Sequence, residues 1–216
     1  MDELVEHVQS ELRRLADPDK APQMAAYLKT DMPFYGVQTP ARRALGRDLK
    51  KQFRPQSAAE YRSQIDVLWN LPHREEKYLA IGVAAAHPDF ITFEQIDLYQ
   101  RLVTEGAWWD LVDSVASGII GKVVMNERAR MRPLLDEWID SDDMWLRRTA
   151  IICQLEHKES TDVEMLFGFC TRRAFEKEFF IRKAIGWALR QYARTDPEAV
   201  TEYLLENRES LSGLSF

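Results

Sequence analysis

Residues 145–155 read WLRRTAIICQL. Apolar side chains recur there at steps of three and four, the period of an amphipathic helix. The same pattern stands in WDLVDSVASGI at 109–119 and in FIRKAIGWALR at 180–190, with a fainter copy in EKYLAIGVAAAH at 76–87. The copies recur at a spacing of about 35 to 36 residues, each followed by a turn and a second helical pattern. A period of that length built of helix–turn–helix units predicts an all-α fold, an α-solenoid of HEAT-like helical-pair repeats.

Other segments support helix and none supports strand. EYRSQIDVLWN and ERARMRPLLDEWI place apolar residues at i, i+3, i+4 and i+7, and no convincing alternation of period two appears. Breaks fall at Pro22, Pro33 and Pro40, and at 71–73, 87–89, 141–143 and 195–197. Thr39 before Pro40 and Thr195-Asp196 before Pro197 read as helix N-cap residues. No low-complexity segment or flexible linker interrupts the chain, so residues 1–216 are expected to form one repeat domain.

Composition narrows the function. The chain is 45% hydrophobic and 30% charged, an ordinary soluble balance. The start, MDELVEHVQSELRRL, is amphipathic and acidic, so neither a signal peptide nor a transit peptide is expected. No run approaches the ~18 apolar residues of a membrane span, so no membrane partner is expected. The two cysteines, Cys153 and Cys170, read as small buried hydrophobes in a reducing compartment. A cytoplasmic location is expected, at the nucleoid when DNA is bound. No dimerisation segment is evident, and a monomer is expected.

The four histidines are scattered without metal-ligand spacing, so no metal is assigned. Phosphate-loop, dinucleotide and nucleophile-elbow motifs are absent, and no cofactor is assigned. The net charge of −6 is awkward for a nucleic-acid binder unless the charge is segregated. It is segregated: RRALGRDLKKQFR, 42–54, holds six bases and one acid, and seven bases between Arg172 and Arg194 face only Glu176 and Glu178. Taken singly, either cluster also reads as a solvated helix face.

One constellation carries possible chemistry. Trp109 and Asp113 are four apart and share a helical face. In repeat register Asp113, Arg148 and Lys183 follow one another at 35-residue steps, and Trp187 lies one turn after Lys183. Indole faces attract cations, a carboxylate stabilises positive charge and orients water, and arginine forks onto phosphate. A cationic, N-alkylated purine nucleotide suits all three. The alternative is structural: Asp113 simply pairs with Arg148, and tryptophans at helical spacing are core. Trp69, Trp108, Trp138 and Trp145 are expected to be packing residues.

Four stretches carry a wider likeness: MPFYGVQTPARR at 32–43, WWDLVDSVA at 108–116, WLRRTAIICQL at 145–155 and EFFIRKAIGWALRQYARTDPEAV at 178–200. On these the chain resembles the AlkD-type DNA alkylation repair family of HEAT-like-repeat glycosylases, from about Tyr27 to Val200. The resemblance implies a concave DNA-binding face and excision of positively charged N3- and N7-alkylpurines from double-stranded DNA, the lesion staying in the stack. It implies Asp113 as the catalytic carboxylate, Trp109 and Trp187 at the lesion's deoxyribose and backbone, and Arg148 on a phosphate. Tyr27, Gln38 and Thr39 would meet DNA from the N-terminal repeat, with Arg43 and Arg47 as phosphate contacts. Phe179 and Phe180 would wall the cleft, and Lys183 and Arg190 would add basic contacts. Two other readings remain open on the residues alone: a non-catalytic module for damaged or bent DNA, and a protein-interaction scaffold.

Overall fold

The computed structural model describes residues 1–215. Among them every regular element is helical, and the fold is of the α-solenoid class. Contacts cluster into two compact units, Met1–Phe90 and Ile91 onward.

The first unit holds α1 (Asp2–Arg14), α2 (Lys20–Leu28), α3 (Thr39–Gln52), α4 (Ala58–Trp69) and α5 (Arg74–Ala86). In α1 the buried side chains are Leu4, Val8 and Leu12, one stripe at four-residue steps. Asp2 and Glu3 sit in its first turn and Arg13 and Arg14 in its last, each matched to the helix dipole. Ser57 caps α4 by accepting from the Glu60 amide at 3.2 Å. The long connection from α2 to α3 has no regular structure, and Gly36 turns it at φ +86°, where a Cβ would strike the Asp17 carbonyl oxygen.

The second unit runs through α6 (Ile96–Gly106), α7 (Trp109–Val115), α8 (Gly121–Asn126), α9 (Arg128–Trp138), α10 (Met144–Ile152), α11 (Val163–Arg172), α12 (Phe179–Tyr192) and α13 (Pro197–Glu206). The 141–143 break ends in Asp143, which caps α10 by accepting from the Trp145 amide at 2.7 Å. Of Thr195 and Asp196, it is Asp196 that caps α13, accepting from the Ala199 amide at 2.9 Å.

The repeat is visible as bonds between equivalent places. Arg130 reaches Glu94 across 36 residues, the His157 ring meets the Gly121 carbonyl across 36, Arg172 reaches Asp136 across 36, and the Thr171 and Tyr203 hydroxyls meet across 32. Within the second unit these bonds tie helical pairs to their successors at or near the repeat distance. Gly121 lets α8 approach the following pair closely, because a Cβ there would strike the Cys153 carbonyl oxygen. The core includes Trp69, Trp138 and Trp145, as expected, while Trp108 is half-buried against the Trp145 and Phe180 rings.

Three local features depart from the sequence expectation. Pro22 is not a break: it lies in the first turn of α2, where its missing N–H has no helical partner to lose. Thr39 is not the cap of α3: the helix already includes it, Gln38 occupies the cap position, and no side chain caps that end. The Thr39 hydroxyl instead accepts from Arg42 at 3.4 Å. Between α7 and α8 a π-turn spans Ala116–Ile120, so the helix carries a local irregularity one residue after Val115.

Candidate functional site

In the second unit, α10 packs on both α7 and α12. That contact brings three residues into direct bonding. Arg148 donates from Nε to Asp113 Oδ1 at 2.7 Å and from Nη2 to Oδ2 at 2.8 Å, a two-pronged ion pair. Its Nη1 donates to the Phe180 carbonyl oxygen at 2.6 Å, at the start of α12. The Arg148 side chain is 5% exposed and that of Asp113 is 16% exposed. The carboxylate therefore keeps a small window to solvent while its partner is enclosed.

Burial pushes the Asp113 carboxyl above its ordinary range. Hydrogen bonds and charge from Arg148 oppose that push, and Asp110 adds to it. The backbone around Asp113 is tied down as well. The Ser117 hydroxyl, inside the π-turn, donates to the Asp113 carbonyl oxygen at 2.8 Å.

Trp109 opens α7 one turn before Asp113 and is half-buried; Trp187 on α12 is half-buried too. Half-burial suits a ring that is anchored on one side and offered on the other. Phe179 and Phe180 separate in role. Phe180 packs against Trp108 and Trp145 at 5.4 and 5.0 Å between ring centres, whereas Phe179 is 54% exposed. Lys183 holds its ammonium 5.9 Å from the Phe179 ring centre, and both Lys183 and Arg190 are exposed.

Arg147 and Arg148 are neighbours with different partners. Arg147 donates to Glu176 at 3.2 Å and to the Ser141 carbonyl at 2.6 Å, so it braces the segment before α12 rather than touching Asp113. Repeat register alone selects Arg148 of the two. The Phe180 carbonyl as third partner had no sequence signal, because a backbone acceptor can belong to any residue.

The first unit carries the remaining candidates. Tyr27, at the end of α2, is 75% exposed. Gln38 and Thr39 are exposed at the uncapped start of α3, and Arg43 and Arg47 are exposed one turn apart along it. Arg42, immediately before Arg43, stacks on the Tyr78 ring at 3.9 Å.

The turn leading into Gln38 rests on a buried carboxylate absent from the sequence expectation. Glu75 accepts from the amides of Tyr35 at 3.1 Å, Gly36 at 2.8 Å and Val37 at 3.0 Å. Beside it Glu76 accepts from the Tyr35 hydroxyl at 3.0 Å and the His73 amide at 2.7 Å. Burial, reinforced by Glu76, pushes the Tyr35 phenol up to about 12.

Among the described residues no cluster of three His, Cys, Asp or Glu side chains could hold a metal. No helix there is long and apolar enough to cross a membrane. Both cysteines are buried and unpaired, and burial pushes each thiol up to about 12. A cavity of about 260 Å³, lined by Gln154, Lys158, Tyr192 and Arg194 among others, includes none of the candidate residues.

Two comparisons match this chain. The family model for DNA alkylation repair enzymes matches residues 8–216. A solved structure described as a predicted DNA alkylation repair enzyme from Enterococcus faecalis is similar at a TM-score of 0.83 and 31% identity, covering 93% of this chain and 92% of that one. No curated protein matches.

Proposed function

Because the chain belongs to the DNA alkylation repair enzyme family, we propose that it is a DNA glycosylase for positively charged N3- and N7-alkylpurines in duplex DNA. The observation that carries the proposal is the Asp113 carboxylate, half-buried, arginine-paired and still 16% open to solvent, one helical turn from Trp109.

The chemistry follows from charge. An N-alkylated purine is already cationic, so it leaves without a general acid. As the N-glycosidic bond breaks, its electron pair passes to the purine, which departs neutral. Positive charge moves to C1′ of the deoxyribose. Asp113 stabilises that cation, as a carboxylate does in glycoside hydrolysis. Water adds at C1′ and gives up a proton, for which Asp113 is the acceptor. Trp109 and Trp187 hold the sugar and backbone through their ring faces. Arg148 holds a phosphate beside the lesion and, for that, shares or releases its grip on Asp113. No pocket for an extruded base is required, and the base stays in the stack.

Duplex affinity rests on Arg43, Arg47, Lys183 and Arg190, with Tyr27, Gln38, Thr39 and Phe179 as further contacts. The protein acts as a monomeric single domain in the cytoplasm, at the nucleoid, without metal or cofactor.

A second reading draws on one observation. In the free protein both Asp113 oxygens are bonded by Arg148. If DNA does not loosen that pair, the protein is a module that binds damaged duplex without cleaving it. The test is lesion charge: incubate the protein with duplexes holding 7-methylguanine, hypoxanthine or uracil and measure free base. Release of 7-methylguanine alone supports the proposal. Efficient uracil release contradicts the cation mechanism, and binding without release favours the module.

A further inference from the structure

Arg74, Glu75 and Glu76 open α5 in succession, and all three are buried, Glu75 and Glu76 at 0% exposure. Ionised side chains are costly inside a protein unless each is fully bonded. Glu75 meets that condition with three consecutive amide donors, those of Tyr35, Gly36 and Val37. Those donors belong to an irregular segment whose Gly36 and Val37 are buried, so without Glu75 their N–H groups have no acceptor. The next residues along the chain are Gln38 and Thr39, both exposed, at a helix start that no side chain caps.

The segment is pinned from other directions too. The Asp17 amide donates to the Tyr35 carbonyl at 2.9 Å, and the Arg74 amide donates to the Pro33 carbonyl at 2.9 Å. Tyr35 stacks on His73 at 3.9 Å between ring centres. A chain held this firmly cannot adapt its exit direction. The bearing of Gln38 and Thr39 is fixed before any ligand arrives, which removes an ordering cost from binding.

We propose that Glu75 is a positioning residue for DNA binding: it sets the backbone of Tyr35–Val37 so that Gln38 and Thr39 meet the duplex preorganised. This rests on the DNA-directed function proposed above. Glu75 touches no substrate and acts only through the turn.

Glu75→Gln tests it. The variant keeps the size but faces at least one of the three amides with an NH₂ donor, so that N–H loses its acceptor. Two quantities are read in the full-length protein: the Kd for an undamaged duplex, and the single-turnover rate of 7-methylguanine release at saturating protein. The expected result is a Kd weakened by about tenfold with the saturating rate within about twofold, since a charge-assisted bond is lost from the turn and not from the reacting centre. In a Gln38→Ala/Thr39→Ala background the same substitution is expected to change Kd by less than about twofold, because it has no contact left to misplace. An unchanged Kd overturns the proposal. So does equal weakening in both backgrounds, which marks a general structural loss. If Glu75→Gln does not fold, Glu75→Asp carries the same expectations, its carboxylate held one methylene short. A wild type that binds duplex but releases no base overturns the glycosylase function while the Kd comparison still decides this point; a wild type with no duplex affinity overturns both.

Discussion

Asp113 and Arg148 stand 35 residues apart and meet through two parallel bonds of 2.7 and 2.8 Å. The pair does two jobs in one place. It links consecutive helical pairs, and it holds a carboxylate ionised at a site where burial opposes charge. Removing one partner leaves the other charged and enclosed. Arg148→Met is therefore expected to cost about 3–5 kcal/mol of unfolding free energy. The double substitution Asp113→Asn/Arg148→Met should cost clearly less than the sum of the single ones. Urea unfolding of the four proteins checks this, and strict additivity would contradict the pairing.

The raised Asp113 carboxyl has a consequence for pH. The proposed chemistry needs the ionised form. As pH falls through the carboxyl's titration the group is protonated and the rate drops; as pH rises the rate reaches a plateau. Because burial raises that titration, the acid limb should lie above the ~3.9 of an ordinary aspartate. Single-turnover release of 7-methylguanine from pH 4 to 8 checks it. A limb at or below the ordinary value contradicts burial as the dominant influence.

Glycines 118 and 121 lie close together but differ in what surrounds them. A Cβ at Gly118 meets nothing within 4 Å, whereas one at Gly121 strikes the Cys153 carbonyl. Gly118→Ala should be neutral or stabilise by up to about 1 kcal/mol. Gly121→Ala should destabilise by about 1–3 kcal/mol as helices are forced apart. Thermal melts of the two variants give the comparison, and a stable Gly121→Ala would contradict the close approach.

Salt dependence tests the charge segregation. Arg43 and Arg47 are exposed on α3 and make no salt bridge among the described residues. Replacing both with alanine should lower the slope of log Kd against log salt by about 1.8, the share of two phosphate contacts. Titrations of an undamaged duplex at several salt concentrations would show it. An unchanged slope removes these residues from the interface.

Much of the site is legible in the sequence because the fold is a repeat. Register selects Arg148 for Asp113 out of two adjacent arginines, and the structure joins that pair while giving Arg147 to Glu176. The cap on α13 follows from residue type before a helical pattern, since one of the two residues offered there, Asp196, takes it. What was hidden depends on tertiary context. Glu75 carries no sequence signal of its own: it is buried because an irregular segment some 40 residues away needs an acceptor. The π-turn after Val115 leaves no periodicity signal, since one additional residue per turn falls within the scatter of an apolar pattern. Thr39 fits a cap by type, but the helix starts one residue earlier and its hydroxyl turns to Arg42.

The central claim is that the Asp113 carboxylate stabilises a sugar cation, and single-turnover release of 7-methylguanine by wild type and Asp113→Asn tests it most directly. Asparagine keeps the shape and removes the charge. The rate at saturating protein should fall by about 100-fold or more, the scale of losing one electrostatic stabiliser, with duplex affinity within about threefold. An Asp113→Asn variant that releases the base at the wild-type rate would contradict the account.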